Sequence, residues 1–285
     1  MALTACEDIG GASANAYGEP MKPVLAPPAP LGETDLRAAL ADARIQALYQ
    51  PIVRISDCRP VGLEVLARLD HPERGFLTAS LFVPTMECAG LARPLTEAVI
   101  RRAFTDWGGG RLDGPDLTLA INLPLDVLLI PEMLGWLDDE RTAAGIPAER
   151  IVIELTESQP LDRLAELAIA TARLRARGYG LAIDDVGPNI RDHTPLLDLP
   201  FTVLKLDKDL VQESRGNAAT AIFLAATLRS AAAASLTVIA EGVEDTETWA
   251  HMAACGVHHC QGYLVSHPLS AEAIAPWLAS WRGCA

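Results

Sequence analysis

Short β-branched runs alternate with longer Ala/Leu-rich stretches through most of the chain. The clearest strand patterns fall at 117–123, 150–155, 180–184, 201–206, 236–240 and 258–263. Helical patterns fall at 93–107, 161–177, 217–234, 247–254 and 271–281. Gly178 and Gly256 sit where a helix stop wants a left-handed residue. Repeated strand–helix units predict a parallel sheet, most simply a closed α/β barrel, with a doubly wound open sheet as the structural rival. No Gly-x-Gly-x-x-Gly opens any of these helices, so a dinucleotide site of that kind has no support.

The ends and the composition narrow this picture. Residues 1–33 are rich in Gly, Ala and Pro and are expected to form an extended tail. Order is expected from Thr34, read as a helix cap, so that 34–285 forms the folded domain. The 285 residues suit one α/β barrel, and half of them are apolar, enough for a large core. The formal charge of −14 removes any general attraction to a nucleic acid polymer or an anionic membrane. The apolar run at 218–228 ends at Arg229 and is too short to span a bilayer. The start, Met-Ala-Leu-Thr-Ala-Cys-Glu-Asp, has no secretory pattern, and the six cysteines form no disulfide framework. A reduced, cytoplasmic protein is the expectation.

The candidate chemistry lies where apolar runs stop. Glu64, Asn122, Glu154, Asp184 with Asp185, Lys205 and Glu241 each close such a run, and Gln261 lies in the last one. One strand-end carboxylate is an ordinary helix cap, and Asp185 alone fits that reading. Five carboxylates, an amide and a lysine at successive strand ends do not. In a barrel those ends surround one mouth. Unpaired charges buried there would cost several kcal/mol each, and cations remove that cost. Oxygen ligands suit Mg²⁺ or Mn²⁺ rather than Zn²⁺. Two such ions about 3.5–4 Å apart suit phosphodiester hydrolysis. Lys205, between Leu204 and Leu206, is placed to orient or deprotonate the attacking water.

Other features carry less. Cys255, His258, His259 and Cys260 have no second Cys/His pair nearby in sequence, so a buried strand is preferred over a zinc site. No serine sits in a Gly-x-Ser-x-Gly elbow. Arg101-Arg102 reads as a solvated helix face. Arg68, four residues after Glu64, suits either a phosphate or a surface pair with Asp70 or Glu73.

Several motifs together carry a family pattern. These are Tyr49-Gln50-Pro51-Ile52, Glu64-Val65-Leu66 followed by Arg68, Asn122, and Glu154-Leu155-Thr156-Glu157. Asp184-Asp185, Lys205-Leu206-Asp207, Ala240-Glu241-Gly242-Val243-Glu244 and Gln261-Gly262-Tyr263 complete the set. In order and spacing the chain from about Ala47 to Pro268 resembles the EAL family of cyclic di-GMP phosphodiesterases. The resemblance implies a modified (β/α)₈ barrel that cleaves cyclic di-GMP to linear pGpG with two Mg²⁺ or Mn²⁺ ions. It implies a first ion on Glu64, Asn122, Glu154 and Asp184, and a second on Asp184, Asp185 and Glu241. It further implies that Lys205 handles the water and Gln261 orients it. Gln50, Arg68, Asp207 and Pro268 would contact the ligand, and Glu157 would anchor the loop after the paired aspartates.

That loop departs from the family pattern. Val186 stands for Phe, Pro188 fixes φ, and Asn189 stands where glycine is usual. In the family this loop couples homodimerisation to the second metal. The departure supports a second reading, a weakened EAL domain that acts as a cyclic di-GMP receptor or protein-interaction module.

Overall fold

A computed structural model describes residues 31–283 except 113, 115, 157–162 and 189–193. Nine strands form: β1 (Ile45–Arg54), β2 (Pro60–His71), β3 (Gly75–Thr78), β4 (Thr118–Asn122), β5 (Ile151–Thr156), β6 (Gly180–Val186), β7 (Val203–Leu206), β8 (Thr237–Ala240) and β9 (His259–Cys260). Eight of them close a ring in the order β1-β9-β8-β7-β6-β5-β4-β2, with β2 paired back to β1. β3 lies outside the ring as a hairpin partner of β2.

The helices α1 (Glu33–Ala41), α2 (Val83–Cys88), α3 (Ala92–Gly108), α4 (Leu125–Leu128), α5 (Met133–Ala143) and α6 (Leu164–Ala176) belong to the first part of the chain. The helices α7 (Thr194–Leu197), α8 (Lys208–Glu213), α9 (Ala218–Ala233), α10 (Thr246–Ala254) and α11 (Ala271–Ser280) belong to the second. The five predicted helices correspond to α3, α6, α9, α10 and α11. Gly178 and Gly256 have φ of 95° and 82°, the left-handed values expected of helix stops.

Four details differ from the sequence-based expectations. The ring is not wholly parallel, because β1 runs antiparallel to both β2 and β9. The cause is the short connection at 55–59, which permits a hairpin but no crossover. The first helix is capped at Gly32, and Thr34 lies inside its first turn. The last strand is only two residues long, because the chain turns at Gly262, where a Cβ would lie 2.2 Å from the Val243 carbonyl oxygen. Arg102 is not merely a solvated partner of Arg101. Its Nε donates to the fully buried Asp106 at 2.9 Å.

Asp106 is the centre of a buckle between β1 and α3. It accepts from the Tyr49 hydroxyl at 2.7 Å and from Arg111 Nη1 at 2.9 Å, as well as from Arg102. Burial, then the adjacent carboxylate, pushes the Tyr49 phenol far above its ordinary pKa. The Tyr49 backbone also exchanges both hydrogen bonds with Leu269, each at 2.8 Å. The chain after β9 is thereby tied to β1.

Apolar side chains divide into two cores. The large one fills the layer between the ring and the helices and includes Leu63, Leu119, Ile121, Ile151, Ile153 and Leu204. A small one, of Ile52, Ala120 and Ile239 with Val61, Val152 and Val203 against it, lies inside the ring.

Candidate metal centre

Strand alternation decides which residues reach the barrel interior, since side chains two apart share a face. Ile52 and Gln50 share a face of β1. Ala120 and Asn122 do so on β4, Val152 and Glu154 on β5, Ala182 and Asp184 on β6, and Val203 and Lys205 on β7. Intervening residues such as Leu119, Ile121, Ile153 and Leu204 belong to the outer core. The parallel strands β4 to β7 therefore each contribute an apolar residue toward the beginning and a polar one toward the C-terminal end, and the antiparallel β1 presents Gln50 and Ile52 in the reverse chain order.

On β6 a register shift between Ile183 and Val186 interrupts the alternation. Asp185 there adopts φ of 59°, a left-handed conformation that Asp tolerates better than most residues. The bulge lets two consecutive carboxylates serve one site. Asp184, Asp185 and Glu241 each offer an oxygen, and these oxygens lie within 4.8 Å of one another.

Lys205 occupies the centre and is almost fully buried. Its Nζ lies 2.6 Å from Glu241, 2.9 Å from Asp184, 3.0 Å from Glu154 and 3.6 Å from Glu64. An ammonium has three protons, so four carboxylates cannot all be satisfied. Glu154 Oε1 and Asp184 Oδ1 are ion-paired to Nζ without good hydrogen-bond geometry, and the buried Glu154 Oε2 accepts no hydrogen bond. Burial, reinforced by neighbouring carboxylates, pushes Glu154 well above the usual carboxylate range despite the opposing lysine. The same causes push Glu241 up to about 8 and Asp185 up to about 6. Burial alone would lower the Lys205 pKa, but the four carboxylates, led by Glu154, raise it well above the ordinary value.

Amides frame this cluster. Gln261 Nε2 donates to Gln50 Oε1 at 3.0 Å and also to Glu64 Oε2. Its own Oε1 is buried without a partner. Asn122 Nδ2 donates to Glu64 Oε1 at 3.4 Å, and Gln50 Nε2 donates to the Ser266 carbonyl at 3.1 Å. Unsatisfied carboxylate oxygens beside an amide fit hard divalent cations of the Mg²⁺ or Mn²⁺ kind. Among the described residues Cys255, His258, His259 and Cys260 form no such group. Instead His258 Nδ1 accepts the Val238 N–H at 2.9 Å, a packing role in line with the non-zinc reading.

The remaining predicted residues take varied places. Arg68 is half-buried and donates to the Ala67 carbonyl at 2.9 Å, with no ion pair to Asp70 or Glu73 among the described residues. Burial pulls its guanidinium below the ordinary value, opposed by nearby Tyr263 and Glu64. Asp207 caps α8, where Oδ1 accepts from the N–H groups of Asp209 and Leu210. Pro268 lies in the segment held by Gln50 and Tyr49. Glu157 and the loop at 189–193 are outside the described residues. Val186 is fully buried in β6.

Two features escaped sequence reasoning. Tyr263 is exposed at the rim and packs on His267, with ring centroids 4.0 Å apart. A cavity of about 500 Å³ also opens beside the cluster, lined by Asn122, Glu154 and Asp185 on one side and by Leu66 and Glu87 elsewhere. Gln-Gly-Tyr is the sequence signal for the first, since it puts an aromatic residue just past the last strand end.

The EAL domain family model matches residues 33–268. The chain belongs to the EAL domain family. It is 31% identical over 234 residues to a cyclic di-GMP phosphodiesterase of Pseudomonas aeruginosa, covering 81% of this chain and 39% of that protein. It is 31% identical over 244 residues to a probable cyclic di-GMP phosphodiesterase of Escherichia coli, covering 85% of this chain and 46% of the relative. The chain thus spans less than half the length of these two relatives. Among solved structures, the PaMucR phosphodiesterase in complex with c-di-GMP superposes with a TM-score of 0.77 at 27% identity, covering 84% of this chain and 97% of that one. The EAL enzyme Bd1971 shares the fold, with a TM-score of 0.80 at 24% identity, covering 86% of this chain and 68% of that one. Among the described residues no helix is long and apolar enough to cross a membrane.

Proposed function

We propose that this EAL domain hydrolyses cyclic di-GMP to linear pGpG with two divalent cations, Mg²⁺ or Mn²⁺. The observation that carries this reading is the crowding of four buried or half-buried carboxylates around the single Lys205 ammonium, with Glu154 Oε2 accepting no hydrogen bond. Relatives named as cyclic di-GMP phosphodiesterases support the substrate. Glu64, Asn122, Glu154 and Asp184 would hold one ion, and Asp184, Asp185 and Glu241 the other. When bound, such ions lower the pKa of water and neutralise charge on the oxygens of an in-line displacement.

The protein side of the reaction follows from the geometry. As the carboxylates are neutralised, the Coulombic support for the Lys205 ammonium weakens and its pKa falls. A neutral amine at Nζ can take a proton from the attacking water. Gln261 is held through its amide nitrogen by Gln50 and Glu64, so its free Oε1 is fixed as an acceptor that orients the same water. Glu64 acts through both its ion and this amide. Arg68 has donors left beyond its bond to Ala67 and contacts a phosphate, with Gln50 beside it. Asp207 and Pro268 contribute by shaping the rim, the first through the α8 cap.

The test is incubation of the purified chain with Mg²⁺ or Mn²⁺ and cyclic di-GMP. Formation of pGpG well above a Glu64→Ala control is expected, and its absence rejects the reading. Pro188 and Asn189 favour the second reading, a cyclic di-GMP receptor or interaction module, which binding without turnover would select. We place the protein in a reducing cytoplasm, where the thiols of Cys58, Cys88 and Cys255 are stable. Control by homodimerisation is part of the same proposal.

A further inference from the structure

Closed eight-stranded barrels usually fill their interior with bulky side chains in layers. Below the metal centre this barrel is filled only by the small core of Ile52, Ala120 and Ile239, and beneath that core it stays open. Ile52, Ala120, Val152, Val203 and Ile239 line a cavity of about 300 Å³ that opens at the N-terminal end of the ring. That volume lies at the lower end of the range of about 300–1,000 Å³ used by small-molecule sites. The cavity is separate from the mouth where the carboxylates gather, and only Glu154 borders both.

The rim of this lower cavity holds Arg54, Arg59 and Asp116, with His259 kept neutral because burial lowers its pKa to about 4. Arg54 is paired with Asp57 at 2.9 Å, and Asp116 is paired with Arg150 at 3.1 Å. Arg59 is exposed, and its guanidinium has no ion pair among the described residues. The rim thus carries one uncompensated positive charge, at Arg59, which attracts an anion. The apolar walls take an apolar body. A single free guanidinium matches a monoanionic carboxylate, which it can engage with two donors, better than a dianionic phosphate.

We propose that the base of the barrel binds a small amphiphilic monocarboxylate of the medium-chain acyl type, its tail against Ile52, Ala120 and Ile239 and its carboxylate on Arg59. This site does not rest on the phosphodiesterase reading, because of its lining residues only Glu154 belongs to the upper cluster, and neither the tail contacts nor Arg59 use it.

Octanoate is a suitable probe, with octan-1-ol as its uncharged counterpart. The full chain, labelled at isoleucine methyls, is titrated with each and followed by NMR, without cyclic di-GMP. Saturable shifts of the Ile52 and Ile239 methyls are expected with octanoate, while Ile222, exposed on α9, stays fixed. Arg59→Ala is expected to weaken octanoate about tenfold and leave octanol unchanged, since one charged contact is lost. No saturable shift at Ile52 and Ile239 in the unmodified protein overturns the proposal. Equal octanoate affinity in Arg59→Ala overturns the assignment of the carboxylate to the rim. Because turnover is not read, failure here leaves the phosphodiesterase reading untouched, and the reverse holds too.

Discussion

Two places in this molecule bury carboxylates, and they are built on opposite terms. Asp106 is one carboxylate with three donors, from Tyr49, Arg102 and Arg111, and both of its oxygens are engaged. The barrel mouth has four carboxylates around one lysine, whose three protons cannot serve them all, and Glu154 Oε2 accepts no hydrogen bond. The first arrangement is complete as it stands and stabilises the fold. The second is complete only when something positive is added. A buried polar cluster that lacks partners is better explained by a ligand than by stability.

The contrast can be broken most sharply at Glu154. Glu154→Gln removes a charge from an overcrowded cluster, so the chelator-treated protein is expected to melt at the same temperature or higher. Its turnover of cyclic di-GMP with Mn²⁺ is expected to fall by about 100-fold or more, or about 3 kcal/mol of barrier. Thermal melts and a product assay on the same preparation check both signs together.

Asp106→Ala is the mirror experiment. It strands the Tyr49 hydroxyl in the core, removes the acidic partner of Arg102 and leaves Arg111 with only Glu272 at 3.7 Å, so a loss of about 2–4 kcal/mol is expected in denaturant unfolding. Residual activity per folded molecule should be largely kept, because no site residue is touched directly.

A pH series separates the two clusters without mutation. In chelator, Glu241 titrates at about 8 and Asp185 at about 6, both above their unfolded values. The folded protein then holds protons that the unfolded chain has released. Stability from these groups is full below about pH 4 and is lost as pH rises through 6 and then 8. Melting temperature in chelator is therefore expected to fall between pH 5 and pH 8.5, and saturating Mn²⁺ should flatten that slope. A chelator-treated protein that gains stability over this interval would contradict the overcrowded cluster.

The smallest expected effect is Tyr49→Phe, which removes one donor from Asp106 and keeps the ring. A cost of about 1 kcal/mol is expected, since two arginines still neutralise the carboxylate.

Much of the site was legible in the sequence because a barrel collects the C-terminal ends of its strands. Runs ending on Glu154, Asp184, Lys205 and Glu241 locate the mouth without knowledge of any contact. The reversed β1 was not legible from strand–helix alternation, because its cause is a short loop rather than a hydrophobic pattern. Arg102 read as surface because its partner, Asp106, sits one helical turn away and is buried by elements distant in sequence. The resemblance implied a ligand contact for Asp207, and the cap that its carboxylate makes on α8 is a further role which the resemblance did not give. The lower cavity had no signal either. Ala120, Val152 and Val203 are ordinary strand residues, and only ring closure shows that together they leave the interior unfilled.

The most direct measurement is a calorimetric titration of the metal-free protein with Mn²⁺. The predicted result is two ions per chain, reduced to at most one weak site in Glu154→Gln and Asp184→Asn. A protein that takes up no Mn²⁺, with a melting temperature indifferent to it, would mean that Lys205 alone satisfies the mouth, and the metal-dependent reading would be wrong.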